Sequence, residues 1–348
     1  MNSNLSMHRP PRLPDLPPES EICQYWENPQ VVVSICCGTY NHGPFIADAL
    51  GSFLMQKTNF AFEILVHDDA STDNTADLVR SYERLYPNLI SAIYQTENQR
   101  SQGKKAAGLN YDRAEGKYIA LCEGDDFWIS PNKLQIQFGL MQKDNSISLT
   151  FHAAYSGDQF LGAKKMAHHS KETVRFGLKN IIMNGPGCIP SASMMYRPCI
   201  YHDLRANYLR SISPAGDMVT KFILPLRGKV IFIAGIHSFY RTDVPSSWSV
   251  RNKRDMGFRA EVLRKMMEFV YEFRKDLPID LRYIYVIRSI VLVSLGYYRL
   301  ARSGGGEDAF LSLDKLRYMK FLKPIMFISI IWGTVGANLL GVSKKGRR

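Results

Sequence analysis

The chain has 348 residues, 45% of them hydrophobic, and a formal net charge of +12. That composition excludes a disordered polymer and leaves room for roughly two domains with a sizeable core. The charge is divided unevenly: 20 Lys/Arg face 9 Asp/Glu from Arg251 onward, against 24 and 23 before it. A basic C-terminal part suits nucleic acid or anionic lipid. The apolar runs beside it favour lipid, and no nucleic-acid partner is expected.

Residues 1–30 open with MNSNLSMHRPPRLPDLPPES, which has no apolar h-region and does not read as a secretory signal. Its prolines and polar residues predict a disordered or extended lead. From Val31 the pattern alternates. VVVSICCGTYN is a β-branched run ending in turn residues, and PFIADALGSFLMQ has apolar residues at helical spacing. FEILVHDDAS is a second strand ending in acids. NTADLVRSYERLY is a helix that Asp73 or Thr75 can cap. LISAIYQTEN is a third strand, and YIALC a fourth. SPNKLQIQFGLMQK is a helix started by Ser130 and Pro131. This β-α-β-α order predicts an α/β fold with a parallel sheet covered on both faces, in which ligands sit beyond the carboxyl ends of the strands.

The second half of this 31–250 domain is less regular. SLTFHAAY and KVIFIAGIHSFYR read as strands, NGPGCIPSASMMYR as a turn and a strand, and PAGDMVTKFILPL puts Asp217 at the start of a helix. The region 251–348 is predicted to be helical and basic. Within it, PIMFISIIWGTVGANLLGV (324–342) runs 19 residues without a charge between flanking lysines and KKGRR. Three placements fit that run: across the bilayer, in the interface on anionic lipid, or packed on the domain. The six cysteines show no CxxC and no zinc spacing, so reduced thiols in a cytoplasmic protein are expected.

All three conspicuous polar clusters, GTYN, HDDAS and EGDD, fall at strand ends. Three carboxylates in four residues (Glu123, Asp125, Asp126) repel one another unless water or a cation lies among them. The bland reading is a solvated acidic turn. Gly124 lets the backbone turn and a ligand come close.

In this order and spacing the clusters resemble the family 2 glycosyltransferases of GT-A fold, a Rossmann-like mixed sheet flanked by helices, here with a C-terminal helical extension. SICCGTYNH resembles the family's first strand and turn, HDDASTDNT its DDxSxDxT, and CEGDDFW its ExDD form of the DxD motif. The resemblance covers about residues 31–240. It implies a nucleotide-diphospho-sugar donor, expected to be UDP-linked, and an acceptor that is a saccharide or a lipid-linked glycan. It also implies a divalent ion, Mn2+ or Mg2+, and inverting transfer in surface polysaccharide synthesis. By the same resemblance Thr39, Tyr40, Asn41, Asp68, Asp69, Glu123 and Lys105 bind the nucleotide sugar, Asp125 binds the metal, and Asp217 is the general base. Asp126, Asp243 and Trp248 are further candidates. On bland readings Tyr40 packs in the core, Asn41 is a left-handed turn residue, Asp217 caps a helix, and Trp128 and Trp248 pack rather than stack a sugar.

The chain departs from the family pattern twice. KKAAGLN stands where many members have an Arg-Asn pair, which leaves Lys104 or Lys105 to supply the phosphate-facing charge, and YRTD (Tyr240 to Asp243) stands where many have YRxH, which leaves Asp243 as an alternative ligand or the contact absent. His237 lies in an apolar strand and reads as a core histidine. No GxGxxG follows the first strand, which disfavours a dinucleotide oxidoreductase. A nucleotidyltransferase would place a basic residue in the loop after strand one, and GTYNHGPF has none. The other rival is an inactive glycan- or lipid-binding scaffold. The C-terminal basic run makes the inner face of the membrane an expected location.

Overall fold

The computed structural model describes residues 9–100, 102, 107–158, 162–282, 284–286 and 288–289. In chain order the elements are α1 (Glu19–Cys23), β1 (Val31–Thr39), α2 (Ile46–Leu54), β2 (Ala61–Asp68), α3 (Thr75–Leu85), β3 (Ile90–Tyr94), α4 (Ala107–Asp112), β4 (Tyr118–Leu121), β5 (Phe127–Trp128), α5 (Lys133–Lys143) and β6 (Ile147–Gly157). There follow β7 (Lys164–Met166), β8 (Val174–Arg175), α6 (Leu178–Asn184), β9 (Met195–Tyr196), α7 (Leu204–Ile212), α8 (Gly216–Arg227), β10 (Lys229–Arg241), α9 (Trp248–Arg254) and α10 (Met256–Phe273). The chain divides into two compact units. One holds the chain to Asn207 together with Gly216–Val250, the other Tyr208–Ala215 with the chain from Arg251.

The sheet of the first unit runs β3-β2-β1-β4-β9-β6-β10-β5. Its first four strands are parallel, as their β-α-β order predicts. β9 then pairs antiparallel with both β4 and β6, which makes the sheet mixed. β9 has two residues, too few for alternation to mark it as a link between two half-sheets. β1 is buried along most of its length because helices cover both faces. All nine residues of α2 are buried, Asp48 among them.

Residues 9–30 do not form the detached lead that their composition suggests. Leu16 and Ile22 join the core, Tyr86 Oη donates to the carbonyl of Pro17, and Arg12 pairs with Asp48. A buried charge on α2 and two apolar side chains outweigh the local preference of the prolines. α3 starts as expected, with the Asp73 carboxylate accepting from the Thr75 N–H at 3.0 Å, although Asn74 occupies the cap position. α5 starts at Lys133, two residues beyond Pro131.

In the second unit α10 is amphipathic. Asp255 caps it by accepting from the Phe258 N–H at 2.8 Å, and Arg264 bridges Glu261 and Glu268 along its polar side. Phe269 stacks on Phe273, and Phe273 meets Tyr285 edge-on. No helix among the described residues is long and apolar enough to cross a membrane. The apolar run 324–342 lies outside the described residues.

Candidate active site

Strand register brings the polar clusters together. Thr39, the last residue of β1, pairs with Asp68, the last of β2. β4 runs beside β1 to the pair Cys36–Leu121, and the ladder continues past its end through the Gly124 N–H, which donates to the Gly38 carbonyl at 2.9 Å. GTYN, HDDAS and EGDD therefore leave the same edge of the sheet side by side. Behind them Asn110 of α4 donates to the carbonyls of Cys37 and Leu65, and Arg113 to those of Val66 and Ser91. These bonds tie α4 and the residue just after it to β1, β2 and β3.

The first two clusters are tied to each other. Asn41 takes the left-handed conformation (φ 52°) that asparagine tolerates, and its Oδ1 accepts from the Thr72 N–H at 2.7 Å. The Asn41 N–H donates to Ser71 Oγ, which in turn donates to Asp68. Asp69 accepts from the backbone N–H groups of Gln99 (2.7 Å) and Arg100 (3.2 Å), and its own N–H donates to the Thr39 carbonyl. Tyr40 is half-buried between these loops. Lys105 lies outside the described residues.

In the acidic turn, Gly124 has a reason that the sequence did not disclose. A Cβ there would stand 2.7 Å from Thr39 Oγ1 and 2.9 Å from Ile46 Cδ1, so the glycine is needed for close approach to β1 and α2. Thr39 Oγ1 is buried and has no hydrogen-bond partner among the described residues. The carboxylates part ways. Asp126 points inward and accepts from the Arg241 N–H at 2.9 Å; burial and then Asp125 push its pKa well up. Glu123 is open to the cleft on one side and enclosed by protein on the others. That enclosure, and next the Asp125 charge, push its pKa up to about 7. Asp125 is half-buried, with one carboxylate oxygen 3.8 Å from His42 Nε2. His42 is buried, and desolvation holds its pKa below the ordinary value despite Asp125 and Asp73.

Arg241, the arginine of the YRTD segment, clamps this turn from behind. It donates to the Asp125 carbonyl at 2.8 Å, pairs with the fully buried Asp48, and lies over the rings of Phe45 and Phe127. Asp243, two residues on, is exposed with φ 61°, and Trp248 is half-buried at the start of α9. Trp128 is fully buried, packs on Phe53 and donates to the Ala192 carbonyl. It is packing, not a sugar platform. His237 sits in β10 against His152, as a core histidine does.

Asp217 stands in the first turn of α8. It accepts from Ser191, whose 3-10 turn ends at Met194, and the Met194 carbonyl accepts from the Leu121 N–H at the end of β4, the strand that leads into the acidic turn. Lys221 Nζ lies 2.6 Å from Asp217 Oδ2, and Ser191 Oγ donates to the same oxygen. Burial raises the pKa of Asp217, but the Lys221 charge and the two hydrogen bonds overcome it and leave the group below the ordinary carboxylate value. Lys221, Ser191, His42, Asn110 and the Asp48–Arg241 pair escaped the sequence reading. Only Lys221, one helical turn after Asp217, left a signal that could have been used.

Among the described residues no three His, Cys, Asp or Glu side chains are placed to hold a metal ion together. The oxygen donors of Asp125 and Glu123 nevertheless suit a hard divalent cation, with the remaining positions left to a diphosphate and water.

A sequence profile described as Glycosyl transferase family 2 matches residues 34–203. The putative teichuronic acid biosynthesis glycosyltransferase TuaG of Bacillus subtilis is 31% identical over 45% of this chain and 60% of its own length. The Escherichia coli enzyme WfgD, named as a UDP-Glc:alpha-D-GlcNAc-diphosphoundecaprenol beta-1,3-glucosyltransferase, is 35% identical over 32% of this chain and 38% of its own. The chain thus spans less than two thirds of these curated relatives, and 34% of a Mycobacterium tuberculosis protein of uncharacterised function. In fold it is similar to S. aureus TarS 1-349, solved in complex with UDP, at a TM-score of 0.54 and 17% identity over 85% of this chain and 78% of that one. The strand order, the three tied clusters and these matches agree: residues 34–203 match glycosyl transferase family 2, and the fold is the GT-A fold.

Proposed function

We propose that this chain transfers one sugar from a nucleotide-diphospho-sugar, with UDP as the expected carrier, to a saccharide or lipid-linked acceptor in surface polysaccharide assembly. The observation that carries the reading is the convergence of the three strand-end clusters at one edge of the sheet, with Asp217 tied through Ser191 and its turn to the end of β4. The names of TuaG and WfgD support the setting, and that of TarS the nucleotide.

In this reading the loops of Thr39, Tyr40, Asn41 and Asp69 take the nucleotide. Asp125, with Glu123 beside it, holds a divalent ion, Mn2+ or Mg2+, which when bound neutralises the diphosphate leaving group. Glu123 is easily stripped of its proton once positive charge arrives, because desolvation and a neighbouring anion are what hold that proton. Asp217 takes the acceptor proton. Its pKa below the ordinary value keeps it ionised at neutral pH. A weak base is adequate where the transition state resembles an oxocarbenium ion, because the acceptor hydroxyl acidifies as it bonds to carbon. Inversion follows if Asp217 lies on the face opposite the leaving group.

Calorimetry of UDP with and without Mn2+, on the full chain and on Asp125→Asn, tests the reading. The expected result is metal-dependent binding that falls about 100-fold in the variant. Metal-linked binding of GDP or dTDP in place of UDP keeps the class and changes the donor. If the folded wild type binds no nucleoside diphosphate with metal, the reading is overturned.

A further inference from the structure

Asp217 and Lys221 sit four residues apart, on one face of α8. The two ends of the pair differ in exposure. The Lys221 side chain is 6% exposed and that of Asp217 24%, so the cation lies on the protein side and the acid faces the cleft. Lys221 Nζ also lies 3.3 Å from Ser191 Oγ, in the 3-10 turn that precedes β9. Ammonium and hydroxyl both engage Oδ2 of Asp217, so Oδ1 has no side-chain donor among the described residues. A buried pair of this kind adds little net stability compared with apolar side chains of the same size. Packing alone therefore gives no reason for a lysine at this place.

We propose that Lys221, with Ser191 as second tether, is a positioning residue that holds Oδ2 of Asp217 against α8 and aims Oδ1 at the acceptor hydroxyl. The inference rests on Asp217 being the base. Lys221 acts through Asp217, so it is not itself catalytic. It also keeps Asp217 ionised against two opposing influences, its own burial and the charge of Glu123 in the acidic turn. The positive charges acting on that turn include Lys221 itself, Arg100 and, behind it, Arg241.

The test compares Lys221→Met, Lys221→Arg, Ser191→Ala and Asp217→Asn in the full chain. The first readout is the pH profile of UDP release from a panel of UDP-hexoses, with water as acceptor. The second is a 13C titration of aspartate carboxyls, with the Asp217 signal assigned by its loss in Asp217→Asn. In Lys221→Met the acid limb and the Asp217 titration should both move up by roughly 1–3 pH units. The turnover number should fall while donor KM holds, and Lys221→Arg should restore most of both. Ser191→Ala should move the same two readouts in the same direction by less, and it carries the test if Lys221→Met does not fold. An unmoved acid limb and titration in these variants overturn the proposal, even if Asp217→Asn is inactive. Full turnover by Asp217→Asn instead overturns the assignment of Asp217 as base, a separate failure.

Discussion

The turn after β4 and the start of α8 both take acids partly out of water, with opposite results. In the turn desolvation prevails: Glu123 is pushed up to about 7, and the pKa of Asp126 is also pushed well up. At α8 the same desolvation acts on Asp217, and Lys221 reverses it. The difference is the placement of a cation, not the depth of burial. In one region no lysine or arginine pairs with a carboxylate among the described residues, which suits a ligand that brings positive charge. The other carries its own and is set for work in the ionised form. Lys133 is the mirror case, a buried cation with no acid. Its Nζ has no hydrogen-bond partner among the described residues and lies 3.9 Å from the centre of the Trp128 ring, and burial pushes its pKa down to about 7.

The largest way to break this arrangement is to remove the clamp behind the turn. Asp48→Ala leaves Arg241 buried without its carboxylate and should cost about 3–5 kcal/mol in urea unfolding. Asp48→Ala combined with Arg241→Met should cost less than Asp48→Ala alone. Equal cost would show that the charge pair is not what matters.

A smaller break acts inside the turn. Gly124→Ala places a methyl against Thr39 and Ile46 and should cost about 1–3 kcal/mol, read as a lower urea midpoint at unchanged slope. It should also weaken UDP binding, because Thr39 must give way. Thr39→Ala in the same chain should recover part of the loss.

The smallest effect sharpens the comparison. The folded pKa of Lys133 lies below its value in the unfolded chain, so the unfolded state binds more protons between about pH 7 and 10. Stability from this group therefore rises with pH through that window and is lost as pH falls toward 7. Lys133→Met should flatten that slope and raise Tm near pH 7 by about 2–4 °C. A lower Tm would mean that the contact with Trp128 outweighs the desolvation.

What the sequence discloses about this site follows the range of the interactions. The strands β1 to β4 and the three clusters at their ends are local, and each cluster announces itself by residues side by side. The left-handed Asn41 was likewise legible as a turn residue. Ser191 and Asp217 are 26 residues apart, and nothing in either neighbourhood points to the other. β9 is too short to show a period, yet it joins the two half-sheets and brings α8 to the cleft. The docking of residues 9–30 was hidden for the same reason: proline-rich composition is local, whereas Arg12 meets an acid 36 residues away.

The Asp48–Arg241 pair joins residues 193 apart, and this affects how the protein is made. At the usual pace of synthesis roughly 10–40 s separate the two residues on the ribosome. In that interval α2 holds a charge that it cannot bury well, with the partly exposed Arg12 as its other partner among the described residues. The acidic turn, whose rear wall is Arg241, cannot set early. Both halves of the cleft would then lock in one late event, and a nascent chain stalled before β10 should be cut by protease in the acidic turn faster than the finished protein.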